Sequence, residues 1–118
     1  MTITPYVFLF LKGTSVTLTA WLLASAGSLC VGTLLGVLSC RYFSLTKCIV
    51  VIRIYTFIAK GIPAYVQILI AYFIIPSWLG ISVSGFTAAC AALIFCSGGY
   101  TTEIVRAGIN ALPSGQWD

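Results

Sequence analysis

Along this chain, long apolar runs alternate with two short stretches of different character. The first run has no charged residue from Gly13 to Cys40. From Val16 to Cys40 an α-helix would be roughly 37 Å long at 1.5 Å per residue. That length crosses a hydrocarbon core of about 30 Å with some tilt. Thr14 and Ser15 are placed to cap its start. Ala24, Ser28, Gly32, Gly36 and Cys40 recur every fourth position, with Gly32 and Gly36 in a G-x-x-x-G spacing. Residues at that spacing share one helix face, and a face of small side chains lets another helix backbone come close. The plainer alternative is that small residues are common in membrane helices.

A basic stretch follows. Arg41 to Lys60 carries four positive charges and no negative one. Ser44 to Ala59 is otherwise apolar and helix-compatible. Arg53, Thr56 and Lys60 fall at i, i+3 and i+7, on one face. This suits an interfacial helix or the start of a span whose basic side chains reach the headgroups. Pro63 then starts or kinks a helix. Ala64 to Ile75 is too short to span alone, so the second span is expected over about 53–75, through the kink. Its one amide, Gln67, would be costly against lipid and should face protein or a polar cavity. Gln67, with neighbours Tyr65 and Tyr72, is a candidate for lining a pathway. The alternative for Gln67 is a helix–helix hydrogen bond.

Pro76 to Ser82 reads as a tight turn, with Trp78 suited to a membrane interface. Ser84 can cap a third span, about Gly85 to Thr102, rich in small residues. The expected fold is therefore all-α: a polytopic membrane protein of about three transmembrane helices.

Composition agrees with lipid as the solvent. Of the 118 residues, 60% are hydrophobic and 7% charged, with a mean hydropathy of +1.10. A soluble domain carries about 25% charged residues, and eight charged side chains cannot clothe a soluble surface. The six Lys/Arg against two Asp/Glu form no basic stripe interleaved with aromatics, so nucleic acid is not the expected partner. They set topology instead. Four basic residues lie in the 41–60 connection and none in the 76–84 connection. Positive-inside places the former in the cytoplasm, the amino terminus outside, and Glu103 onward in the cytoplasm. Lys12 is the single positive charge that opposes this. The five cysteines, at 30, 40, 48, 90 and 96, form no C-x-x-C pair, and the chain has no His. No metal site is expected, and Cys30, Cys40, Cys90 and Cys96 serve as small hydrophobes. No signal peptide is evident. There is no G-x-x-x-x-G-K-[ST] phosphate loop and no set of nucleophile, base and orienting residue, so neither an enzyme nor a bound cofactor is expected.

After the uncharged run from Gly61 to Thr102, the chain finishes "EIVRAGINALPSGQWD". Glu103 and Arg106 are i, i+3 partners at a membrane exit. Gly108 admits a close neighbour, and Pro113 and Gly115 end the helix and turn the chain. Read alone, this is an ordinary helix end with a solvated tail. The ending resembles the approach to the "EAA" cytoplasmic loop of bacterial ABC importer permeases of the polar amino-acid uptake family, whose pattern is "YxAEIxRGGIxxVPxGQxEAAxALG". Earlier segments agree in order: "LKGTSVTLT" at Leu11–Thr19 is similar to the family's "LxxGxxxTL". "YTFIAKGIPAYVQILIAYFIIP" at Tyr55–Pro76 resembles "YVxxFRGTPLLVQLFLIYFGLP". Lys60 stands for the usual Arg, Ile62 for Thr, Ala107 for Gly, and Asp118 for the first Glu of the box.

The resemblance implies a permease subunit for an amino acid in the bacterial cell membrane. Glu103, Arg106, Gly108, Pro113, Gly115 and Gln116 would shape the segment leading into the ATPase-coupling helix. Implied partners are a second permease, same or related, a separate ATP-binding subunit and a solute-binding protein. ATP would be bound by that subunit and not by this chain. The coupling helix and about two further spans of such permeases lie beyond Asp118. The alternative readings are a non-transporting packing subunit or inactive remnant, and, least favoured, a self-assembling exporter. The last would want a charged residue inside a span for proton coupling.

Overall fold

The structure is a computed structural model that describes residues 3–42 and 46–116. Ser44, Trp117 and Asp118, which figure in the expectations above, lie outside the described residues. All regular structure among the described residues is helical. It comprises α1 (Thr4–Leu38), α2 (Thr46–Gly61), α3 (Ala64–Leu69), a π-helical turn (Ile70–Ile74), α4 (Ile75–Leu79), α5 (Gly85–Ala111) and a 3-10 turn (Ser114–Gln116). α1 and α5 are each long and apolar enough to cross a membrane. The bent pair formed by 47–61 and 64–79 counts as a third crossing if it is one broken span.

α1 begins well before the expected start at Val16. Pro5 sits in its first turn, where a fixed φ suits a helix and the missing N–H costs nothing. Thr14 and Ser15 therefore cap nothing. Their hydroxyls donate back to the carbonyls of Phe10 and Lys12, at 2.9 and 2.8 Å, inside a continuous helix. This is the other outlet for such side chains. Lys12 interrupts the apolar run without interrupting the helix.

The buried residues of α1 are Ala24, Ser28, Gly32 and Gly36, the small-residue ridge. It faces α5. A side chain at Gly32 would collide with Thr101, and one at Gly36 would sit 2.7 Å from Val105 Cβ. Thr101 and Val105 are thus seated in notches that only glycine leaves open. Small-residue contact of this kind binds helices that have no hydrophobic drive to associate within lipid. The buried face of α5 follows the same rule: Ala88, Cys90, Ala92, Gly98, Gly99 and Thr102. Thr102 is fully buried, and its hydroxyl is satisfied by the Gly98 carbonyl at 2.7 Å. Buried hydroxyls in such helices are normally met within the segment.

The second expected span is not one kinked rod. The chain turns by 104° between the 47–61 and 64–79 segments. Pro63 disfavours helical geometry at Ile62 and offers no N–H to the Ala59 carbonyl. Helix resumes at once, with Pro63 itself as N-cap. Downstream, the chain widens into the π turn immediately before Pro76. The ring of Pro76 would press on the carbonyl of Tyr72 in a regular helix. α4 then runs through Pro76 to Leu79, so the turn is shorter than expected. It begins at Gly80, whose φ of 65° is left-handed and strains any L side chain. Ser84 caps α5, its Oγ accepting the Thr87 N–H at 3.2 Å. α5 continues nine residues past the expected end of the span at Thr102 and stops at Ala111, just before Pro113, where the helix was expected to end; the change from apolar to polar residues alters the solvent and not the backbone.

Candidate functional site

α5 packs against α1, α2, α3 and the π turn, and its far end meets Gly36 of α1 through Val105 and Lys60 of α2 through Glu103. Two interactions tie that end to the rest of the chain, and a third lies within it. Lys60, in the last turn of α2, forms an ion pair with Glu103 Oε2. Arg106 lies 4.0 Å from Glu103 Oε1, at the outer limit of an ion pair. The expected i, i+3 contact is therefore the weaker one, and Lys60 from the neighbouring helix is the principal partner. Asn110 Oδ1 accepts the Arg41 backbone N–H at 3.0 Å, tying the last turn of α5 to the chain leaving α1. Sequence reasoning assigned no role to Asn110. A short-range pattern carries no signal for a contact across sixty-nine positions.

Arg53, Thr56, Phe57, Lys60 and Gly61 of α2, with Glu103 and Arg106 of α5, line a cleft of about 410 Å³. The three α2 positions expected on one face, Arg53, Thr56 and Lys60, do share it. Thr56 is buried, and its hydroxyl donates to the Arg53 carbonyl at 3.1 Å. Further up, Tyr55 donates to the Phe95 carbonyl at 2.8 Å, and its ring packs edge-on against Phe95 with centroids 5.0 Å apart. α2 is thereby held to α5 at two levels.

Beyond the cleft, Gly108 is exposed, and a side chain there would meet nothing within 4 Å. Leu112 is extended, as the residue before a proline tends to be, and closes α5. After Pro113, the 3-10 turn holds Gly115 and Gln116, both exposed, with the Gln116 N–H on the Pro113 carbonyl at 3.1 Å. The six residues of the expected coupling segment thus occupy one continuous protrusion, with Glu103 and Arg106 at its root and Gly108 to Gln116 in the open.

Tyr65, Gln67 and Tyr72 are not brought together. Tyr65 and Tyr72 are exposed on the outer side, whereas Gln67 is 7% exposed and faces inward. Its Nε2 donates to the carbonyls of Ala59 at 2.8 Å and Ile62 at 2.7 Å. The Ala59 carbonyl is the one that Pro63 leaves without a donor. Gln67 therefore closes the break in the helix. It also borders an apolar cavity of about 360 Å³ with Ile58, Ile62, Ile70 and Phe95 among its walls.

Comparison with known proteins bears on this arrangement. Residues 28–118 match the model of the family described as "Binding-protein-dependent transport system inner membrane component". The chain is 36% identical over 114 residues to a putative glutamine transport system permease protein of Rickettsia conorii, covering 97% of this chain and 51% of that one. It is 34% identical over 112 residues to the arginine transport system permease protein of Bacillus subtilis, covering 95% and 50%. The chain spans about half the length of the curated relatives it matches. Among solved structures, it superposes on an amino acid ABC transporter crystallised with histidines, with a TM-score of 0.84 and 30% identity. That match covers 98% of this chain and 55% of the other. With its all-α polytopic architecture, the chain belongs to the family of binding-protein-dependent transport system inner membrane components.

Proposed function

We propose that this chain forms part of the translocation pathway of an ATP-driven uptake system for a polar amino acid, and that the end of α5 leads into its ATPase contact. The observation that carries this reading is the continuity of α5. One unbroken helix joins the small-residue core, at Ala88 to Thr102, to the exposed segment from Gly108 onward. Force applied to the protruding end has a direct route into the packed helices. In this reading the amino terminus is outside and the 103–118 segment is cytoplasmic. Two permeases pair, a solute-binding protein delivers the amino acid, and separate subunits bind and hydrolyse ATP. The chain itself binds no nucleotide and catalyses no reaction.

Gly108→Trp tests it. The glycine has open space around it, so the indole disturbs no packing within the chain. In a full-length, co-expressed system the variant is expected in the membrane at normal amounts. Uptake of labelled amino acid and recovery of the ATPase subunit on co-purification should both fall at least about tenfold. Undiminished uptake and retention would sink the proposal.

A further inference from the structure

The cleft between α2 and α5 holds more positive charge than the chain neutralises. Three cationic side chains, Arg53, Lys60 and Arg106, surround one carboxylate, Glu103. Lys60 occupies Glu103 Oε2, and Arg106 reaches Oε1 at 4.0 Å. Arg53 has no ion-pair partner among the described residues. The cleft is open on one side, and one large apolar side chain, Phe57, lies in its lining. Phe57 is 78% exposed, and Ile54 and Ile104, next in sequence to Arg53 and Glu103, are 55% and 71% exposed. A groove on a soluble partner would want a polar rim. An excess of guanidinium and ammonium beside bare aliphatic and aromatic surface fits a molecule that is anionic at one end and hydrocarbon beyond it. The position is also suitable. The cleft lies at the end of the bundle where α1 stops and the chain's basic residues gather, which is headgroup depth for a helix pair of this length. Basic pockets between membrane helices commonly take anionic headgroups.

We propose that this cleft binds the phosphate of an anionic phospholipid, with Arg53 and Arg106 as its donors and the acyl chains lying along Phe57, Ile54 and Ile104. Glu103 limits the affinity by holding Lys60 and repelling the phosphate. The proposal shares Glu103 and Arg106 with the coupling segment but does not depend on the coupling reading, because it requires no ATPase subunit to be occupied.

Native mass spectrometry of the chain in a neutral detergent, with added dioleoylphosphatidylglycerol or dioleoylphosphatidylcholine, tests this. The anionic lipid should be retained at several-fold higher occupancy than the zwitterionic one. Arg53→Gln should lower that retention about fivefold, the effect of one basic residue on an anionic lipid surface. Arg53 is exposed and bonded to no other described side chain, so this variant leaves the fold intact. Glu103→Gln should raise retention, and Lys12→Gln, in the distant part of α1, should leave it unchanged. Equal retention of the two lipids, or no loss in Arg53→Gln, overturns the proposal. Displacement of the lipid by millimolar inorganic phosphate also overturns it, and assigns the cleft to a free anion.

Discussion

Gln67 shows how a single side chain can settle the geometry of a segment. Pro63 strips the Ala59 carbonyl of its helical donor, and the amide four residues later supplies one. Gln67→Leu would leave the Ala59 and Ile62 carbonyls without that donor in a buried site. Each such loss costs about 1–3 kcal/mol in aqueous proteins and about 0.6 kcal/mol on average in a membrane bundle. The variant should therefore unfold at measurably lower SDS fraction, by about 1–3 kcal/mol in total, whereas Tyr65→Phe, on the exposed side, should be neutral. Equal midpoints for the two would refute the role assigned to the amide. That Gln67 needed a polar partner is readable from an amide in an apolar run. The partner itself was readable too, from the spacing of Ala59, Pro63 and Gln67, once proline is counted as a missing donor and not only as a kink. The grouping of Gln67 with Tyr65 and Tyr72 failed on helical phase: positions 65 and 72 share a face, and 67 lies nearly opposite.

At the scale of helices, periodicity of small residues carried the most information. The ridge from Ala24 to Gly36 is the buried face of α1 because close approach needs small side chains at fixed phase, and that phase is written in the sequence. Helix limits were less legible. Lys12 and the Glu103–Arg106 pair look like boundaries to a reader of hydropathy. A helix crosses from lipid to water without changing its hydrogen bonds, so α1 and α5 run through both. Pro5 was the start signal that hydropathy hid, whereas Pro113 marked the end of α5 as expected. The notches can be tested on one helix. Gly32→Leu drives side-chain atoms into Thr101, and overpacking of this sort costs about 1–3 kcal/mol. Gly13→Leu faces open space and relieves a helix of a glycine. SDS titration should show the first variant destabilised and the second unchanged or slightly stabilised. Similar midpoints would mean that α1 does not depend on the α5 contact.

The whole molecule measures 68 × 36 × 20 Å, and much of its surface is exposed Leu, Ile, Phe and Val. Such a surface is at home against lipid and against further helices. Its orientation has a direct test. Single-cysteine chains carrying Ser82→Cys or Gly115→Cys can be exposed to a membrane-impermeant maleimide. Ser82→Cys should label in intact cells and Gly115→Cys only after the membrane is opened; the opposite pattern would invert the proposed topology. Within this thin slab, the middle of α5 carries the run Ser97-Gly98-Gly99, a Gly/Ser sequence of the kind at which helices bend. α2 covers that point. The Tyr55 hydroxyl lies where a side chain on Gly98 would begin, and Ala59 Cβ does the same at Gly99, each 2.7 Å from the added atom. While α2 is seated there, α5 is splinted into a rod about 40 Å long. A splinted rod multiplies small motions: a tilt of roughly 10° about its Gly85 end swings Ala111 through about 7 Å at that length. Without α2 seated there, the same twenty-seven residues would lose that brace at their Ser-Gly-Gly step, the place where a helix of this composition bends most readily.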